Sequence, residues 1–405
     1  MRQDISVEEA RRIVLATARP LPTESVPLAE ALGRVLAEPV VAPDAVPPFD
    51  ASAMDGVAVR LGDVAELPAT LPVVGASWAG APFTGTMPPG AAVQIATGAV
   101  VPPEAEAVVP VEWTDGITEA VTVHRRPDAG HSIRPRGSAI EAGAPVLAKG
   151  TRVTPAVVGA LATVGVSSVP CSRPPRVRIV VTGDEVVPAG RPLRLGQIRD
   201  ANGPILAAQV RWAGGIPEVV HTGDDPGSLA RVLDDAPDLV LLTGGVSVGD
   251  RDRVRDDLSA AGVTWAFWRV RQRPGKPLLF GTHGATPVLG LPGNPVSASV
   301  GVEVYARPLL AAMQSVASPR RTEEARLGAP ISKAPGLHTF ARVTATRASD
   351  GTLKVVPAGH QASHAVLSLL GDGLAHLPAD WDEAPVGAWV EVEPFAWSTI
   401  PSLPC

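Results

Sequence analysis

Three glycine-containing loops carry the residues best suited to chemistry. They are Thr182-Gly183-Asp184-Glu185, Thr243-Gly244-Gly245-Val246-Ser247-Val248-Gly249-Asp250 and Leu291-Pro292-Gly293-Asn294-Pro295-Val296-Ser297. Each follows a short apolar run, and the third leads straight into a helical pattern. Glycine lets the backbone approach a ligand, and free N–H groups at a helix start favour phosphate. Ser and Thr hydroxyls add donors. A tight turn explains any one such loop equally well. Three at matching positions argue for a phosphate-bearing ligand outside the carboxyl ends of strands in an open α/β sheet. The spacing is not a dinucleotide fingerprint, and no Walker lysine follows.

Carboxylates crowd the same places. Asp184 and Glu185 follow the first strand, Asp200 lies in Gly196-Gln197-Ile198-Arg199-Asp200-Ala201-Asn202, and Asp250 and Asp252 follow the second loop. Acids beside phosphates suit Mg²⁺, which takes oxygen ligands and shares them with substrate. Asp200, Asp250 and Asp252 are the candidate ligands. Helix capping is the plainer alternative, and Asp252 and Asn202 suit it. For Glu185 and Asp250 the functional reading is preferred. Pro274-Gly275-Lys276-Pro277 holds one of only four lysines in a rigid turn. A solvated surface Lys is the ordinary case, but scarcity and setting favour an anion contact at Lys276. The eight histidines show no ligand spacing; His360 and His364 are four apart, but Pro357 and Gly359 weaken a helix there. No Ser–His–Asp or Cys–His nucleophile is visible. Phe49-Asp50-Ala51-Ser52-Ala53-Met54-Asp55-Gly56 and Ala96-Thr97-Gly98-Ala99 also stand out, although composition alone explains both as turns.

The elements that must position these residues follow from periodicity. Ser6-Val7-Glu8-Glu9 is a capping-box pattern, and Ala10, Ile13, Val14 and Ala18 continue it at helical spacing. A second helix is predicted over 28–36. From about 57 to 123, short apolar runs between Gly and Pro read as strands of a small β-rich domain. After Pro174-Pro175 the character changes. Strands at 177–181, 218–221, 239–242, 263–268 and 288–291 alternate with helices at 204–212, 226–233, 252–260 and 295–313. Such alternation implies parallel pairing with helices on both faces. From about 322 the chain returns to short strands, including 340–343, 353–356 and 389–392.

The totals bound the rest. A chain of 405 residues implies two to four domains. Apolar residues reach 45% but aromatics only 4%, so Ala, Val and Leu do most of the packing. A net charge of -6 argues against a nucleic-acid or membrane-surface binder, while leaving room for a local anion site. Cys171 and Cys405 give no disulfide framework and no zinc spacing, which suits a reducing, cytoplasmic compartment. No apolar run follows Met1, so no signal peptide is expected. The uncharged stretch 153–172 is rich in small residues and reads as a buried helix and strand, not a membrane span.

Together the segments resemble the molybdopterin molybdenumtransferase family, the MoeA type related to the gephyrin E domain. The residues that carry the resemblance are Ser52-Ala53-Met54-Asp55-Gly56, Thr97-Gly98-Ala99, the three glycine loops, Pro274-Gly275-Lys276-Pro277 and, more weakly, Gln361-Ala362-Ser363-His364 with Ser368-Leu369. They stand in the family's order and cover nearly the whole chain. The resemblance implies an α/β plus β multidomain fold of four parts: residues 1–43 with 141–173, an inserted β-rich domain at 44–140, a parallel-sheet α/β domain at 174–320, and a C-terminal β barrel at 321–405. It implies molybdenum insertion from molybdate into adenylylated molybdopterin with release of AMP, Mg²⁺ as the ion, and a homodimer with shared sites. In this reading Asp55, Thr97 and Glu185 are catalytic. Thr182, Gly183, Asp184, Asp200, Thr243, Gly244, Gly245, Ser247, Gly249, Asp250, Lys276, Pro292, Gly293, Asn294, Pro295 and Ser297 bind substrate.

The chain departs from the family pattern in places. Ala139 stands where an acid is usual, Arg273 replaces a common Lys, Arg251 stands where an aromatic or small residue is usual, Leu337 replaces a frequent Arg, and Gly371-Asp372-Gly373 replaces Ala-Asn-Gly. Two other readings therefore stand beside the transferase: an adenylyltransferase of molybdopterin on the same α/β scaffold, and a diverged pterin-binding paralogue without turnover.

Overall fold

The run Arg176–Thr182 is β-branched and apolar at most positions, and it becomes an interior strand buried on both faces. The computed structural model describes residues 1–223, 229–245, 254–316 and 321–398. Within these, the largest sheet has the order Arg2–Ile5, Thr264–Val270, Leu279–His283, Thr286–Leu291, Leu239–Thr243, Arg176–Thr182, Ile216–Thr222. Arg176–Thr182 pairs in parallel with both neighbours, and Leu239–Thr243 pairs in parallel with Thr286–Leu291. Leu279–His283 is antiparallel to both of its neighbours, which the alternation did not foresee. Only Gly284 and Ala285 separate it from Thr286–Leu291, too short a link for a parallel crossover.

Helices cover the sheet. Asn202–Trp212 packs on one side with a nearly continuous helix made of Pro295–Gly301, a π-type segment Val302–Ala306 and Arg307–Met313. Ile179, Val181, Leu206, Leu241, Leu289 and Val296 share that core, whereas Val180, Val240, Leu242, Val288 and Leu258 of helix Val254–Ala260 form the other. The helix expected at 226–233 is, over its described part, the 3-10 turn Ala230–Leu233.

The N-terminal helix forms as Val7–Leu15, with Ser6 Oγ accepting from the Glu9 N–H at 3.1 Å. The strand before it, Arg2–Ile5, extends the α/β sheet. The helix predicted over 28–36 does not form. Only the 3-10 turn Leu28–Glu30 appears, Gly33 adopts φ +79°, and bridges from Val35 to Arg152 and Leu36 to Cys171 draw the remainder into extended pairing. Thr23–Pro27 pairs with Ser168–Ser172 and Val40–Val41 with Pro145–Leu147, so two distant stretches build one body. The stretch 153–172 contains helix Pro155–Thr163 and strand Ser168–Ser172, and no helix among the described residues is long and apolar enough to cross a membrane.

Between these stretches lies a five-stranded sheet in the order Ala107–Pro110, Gly56–Val59, Ala92–Ile95, Ala69–Ser77, Ala120–Val123. At the C-terminal end, His338–Arg347 pairs with both Leu353–Pro357 and Gly373–Leu377. With Glu323–Leu327 and Trp389–Pro394 this closes a five-stranded barrel around Leu327, Val343, Val355, Leu377 and Val392.

Candidate active site

Parallel register brings the carboxyl ends of three neighbouring strands level: Val181 lies beside Thr243, and Thr243 beside Leu291. The three glycine loops therefore leave the sheet together. Gly244 has φ +97°, and a Cβ there would sit 2.5 Å from Thr182 Oγ1. A Cβ on Gly293 would lie 3.7 Å from the Gly244 Cα. Glycine is needed at Gly244 for both its dihedral and its close approach. Thr182 Oγ1 donates to the Thr243 carbonyl at 3.3 Å, and Thr243 Oγ1 donates to the Pro292 carbonyl at 3.3 Å.

These loops open onto a cavity of about 530 Å³. Of the residues singled out from sequence, Thr182, Glu185, Asp200, Thr243, Gly244, Gly293, Asn294 and Pro295 line it. Gly183, Asp184, Gly245, Pro292, Ser297 and Lys276 do not. Asp184 Oδ1 lies 2.9 Å from where a Gly223 Cβ would stand, and Ser297 is buried in its helix. Lys276 Nζ sits 3.6 Å from Asp4 Oδ1. Ser247, Gly249, Asp250, Arg251 and Asp252 lie outside the described residues.

Asp200 is held on both oxygens: Oδ1 accepts from the Gly203 N–H at 2.8 Å, and Oδ2 pairs with His221 Nε2 at 2.9 Å. Asp200 thus caps the helix Asn202–Trp212, and Asn202, read as a possible cap, does another job. Its Nδ2 donates to Thr243 Oγ1 at 2.6 Å and to the Gly293 carbonyl at 2.8 Å, pinning the second loop to the third. The carbonyl partner fixes the orientation of the amide, since only nitrogen can donate to it.

In the β-rich domain the two motifs that composition explained as turns meet. Ser52 N donates to the Ala99 carbonyl at 2.9 Å, and Gly98 N donates to the Ser52 carbonyl at 2.8 Å. Asp55 Oδ1 accepts from both the Thr97 N–H at 2.7 Å and the Thr97 hydroxyl at 2.9 Å. These two donors hold the Asp55 carboxyl below the usual aspartate range. Ala139 lies exposed in the neighbouring loop, where Asp50 Oδ1 accepts from the Arg136 N–H at 2.7 Å. No residue of 44–140 lines the α/β cavity.

Three polar lining residues were not among the expected binding residues: Arg199, Asn202 and His364. His364 arrives from the C-terminal domain; its signals were the weak Gln361-Ala362-Ser363-His364 motif and its spacing from His360.

A cavity at the carboxyl ends of an α/β sheet, a β domain with a braced acid, and a closed C-terminal barrel define a multidomain α/β plus β protein with an open pocket beside its central sheet. Comparison with known proteins narrows this. The MoeA N-terminal region (domain I and II) matches residues 5–165, the probable molybdopterin binding domain matches 178–312, and the MoeA C-terminal region (domain IV) matches 324–395. A molybdopterin molybdenumtransferase 2 of Mycobacterium tuberculosis is 38% identical over 403 residues, spanning 96% of this chain and 98% of that protein. A molybdopterin molybdenumtransferase of Haemophilus influenzae is 34% identical over 408 residues, with 96% and 98% covered. The crystal structure of the molybdopterin biosynthesis moeA protein from Pyrococcus horikosii superposes with a TM-score of 0.84 at 28% identity, covering 96% of this chain and 99% of that one. The chain belongs to the molybdopterin molybdenumtransferase family.

Proposed function

We propose that this chain is a molybdopterin molybdenumtransferase, inserting molybdenum from molybdate into adenylylated molybdopterin with release of AMP during molybdenum cofactor biosynthesis. The observation that carries this is the convergence of the three glycine loops on one cavity, inside a chain that matches the family from end to end. The Thr182, Gly244 and Gly293 loops suit phosphate through backbone N–H groups. Glu185 places a carboxylate in the same cavity. An adenylyltransferase would need the α/β domain alone; the matched N-terminal and barrel regions and the braced Asp55 favour insertion.

Mg²⁺ needs only one or two protein carboxylates when it shares substrate phosphates. Glu185 and Asp200 offer that much at the cavity, and no group of three or more metal-binding side chains stands among the described residues. The described residues fit an ion shared with substrate, which would offset phosphate charge; the other candidate ligands, Asp250 and Asp252, lie outside the described residues. Asp55 and Thr97 lie outside the cavity, which supports a homodimer in which a second copy brings this pair to it. Large exposed side chains suit such a cover: Met54 beside Asp55, Ile198 at the cavity rim, and Leu367 and Leu370 beyond His364. A reducing, cytoplasmic setting fits the buried free thiol of Cys171.

The test is AMP release from adenylylated molybdopterin with and without molybdate. Molybdate-dependent AMP formation with molybdenum retained on the pterin is expected. Consumption of ATP with molybdopterin, giving adenylylated molybdopterin and pyrophosphate, would instead mark the adenylyltransferase.

A further inference from the structure

An adenylylated pterin carries several negative charges, and the cavity needs side-chain donors to meet them. Lys276 does not line the cavity, and its Nζ stands 3.6 Å from Asp4 Oδ1. The Arg199 guanidinium is turned onto the Arg191 carbonyl. The amide of Asn294 is spent on Ser363 Oγ at 3.0 Å. His364 remains. It lines the cavity, is exposed to it, and among the described residues its ring makes no hydrogen bond.

The backbone that carries His364 is fixed on both sides. Ser363 accepts from the Asn294 amide and, through its carbonyl, from the Val296 N–H at 3.1 Å. Gln361 exchanges two hydrogen bonds of 2.9 Å with the backbone of Arg342, and the buried Arg342 guanidinium reaches Ser368 Oγ at 3.2 Å. The barrel thus docks a loop on the start of helix Pro295–Gly301 and leaves an exposed imidazole among the residues that line the cavity. A metal pair with His360 does not explain it. The ring centroids are 6.4 Å apart, and His360 Nδ1 already accepts from the Ala362 N–H at 3.1 Å.

We infer that His364 is a substrate-contacting residue supplied to the α/β cavity by the C-terminal barrel, donating an imidazole N–H to a phosphate oxygen of the nucleotide half. This rests on the proposed function for the identity of the substrate, but not for the contact with nucleotide phosphate. The cavity is then complete only with the barrel docked, which gives that domain a part in binding.

The experiment uses the full chain and AMP as the probe, by calorimetric titration at fixed salt, alongside steady-state AMP release from adenylylated molybdopterin. His364→Ala is expected to weaken AMP binding roughly tenfold or more, the order for a charge-assisted hydrogen bond. His364→Gln, which retains a donor, should recover part of it. KM for adenylylated molybdopterin should rise with it while kcat moves less, and Tm should hold. Equal AMP affinity in wild type and His364→Ala overturns the inference, as does absence of AMP binding to the wild type. So does an equal loss in the Ala and Gln variants with a lowered Tm, which marks a structural role. If AMP binding depends on His364 but wild type releases no AMP, the inference stands and the proposed reaction falls.

Discussion

At the residue scale, the Asp55–Thr97 pair shows how a short contact sets a charge state. Two donors from one residue face one oxygen of Asp55, and a carboxylate so placed keeps its charge to lower pH. Thr97→Val keeps the shape and the backbone donor but removes the hydroxyl. Since the hydroxyl favours the charged form, its loss should raise the Asp55 pKa toward the ordinary aspartate value. The expected result is an acid limb of the AMP-release profile shifted to higher pH, with little change at neutral pH, where the carboxylate is ionised in both proteins. A ¹³C titration of the Asp55 carboxyl checks the shift without turnover; an unmoved titration would show that the hydroxyl does not hold the charge. The chain shows Asp55 and Thr97 as members of two turn-like motifs. Their meeting is a contact 42 positions apart, and no local pattern contains it. Asn202 was misread for the same reason: a residue at a helix start suggests a cap, while its partners Thr243 and Gly293 come from distant loops.

At the element scale, the barrel is tied to the α/β body by buried charge. Glu393, on strand Trp389–Pro394, meets Arg11 of helix Val7–Leu15 at 3.1 Å and Arg307 of helix Arg307–Met313 at 2.7 Å. His376 Nε2 stands 3.4 Å away. Arg307 also meets Glu303 at 2.9 Å, and Glu303 accepts from Gln209 at 2.8 Å on the helix whose first turn bears Asn202. Burial by itself would raise the Glu393 pKa, but His376, Arg11 and Arg307 outweigh it and hold it at about 2. A depressed acid stabilises the fold above its unfolded pKa of 4.5 and loses that contribution as pH falls toward about 2. Glu303 has the opposite sign, since burial raises it. Glu393→Gln should therefore destabilise the protein by about 3 kcal/mol at neutral pH, with two guanidinium groups left short of a partner. The gap from wild type should narrow between pH 4.5 and 2. Thermal unfolding across that window checks it, and a gap that stays constant with pH would rule out the charge as its source. The elements that hold this network were unevenly legible. Apolar runs and helical spacing gave Val7–Leu15, Arg176–Thr182 and Leu239–Thr243 because burial dictates those patterns. Arg2–Ile5 reads RQDI and carries no strand period, since an edge strand buries little. The 28–36 stretch has helix-forming residues, but Gly33 and tertiary bridges override them.

At the scale of the whole molecule, the chain separates two groups of candidate site residues. Asp55 and Thr97 sit in the inserted domain, whereas Glu185, the glycine loops and His364 surround a cavity that no residue of 44–140 lines. The proposed homodimer with shared sites would reunite them, and it has a consequence that a self-contained subunit does not. Asp55→Ala and Glu185→Ala should each remove most turnover with Tm preserved, since both residues lie in loops that contribute little core. In a heterodimer of the two variants, one composite site combines both substitutions and the other contains neither. Mixing the inactive proteins under conditions that allow subunit exchange should then restore part of the activity, approaching about one quarter of wild type when equal amounts exchange fully, because half the dimers are mixed and each has one intact site of two. Native mass spectrometry of the mixture establishes the fraction of heterodimer. Heterodimers that form and stay inactive would place Asp55 and Glu185 in the same subunit's site and remove the composite arrangement.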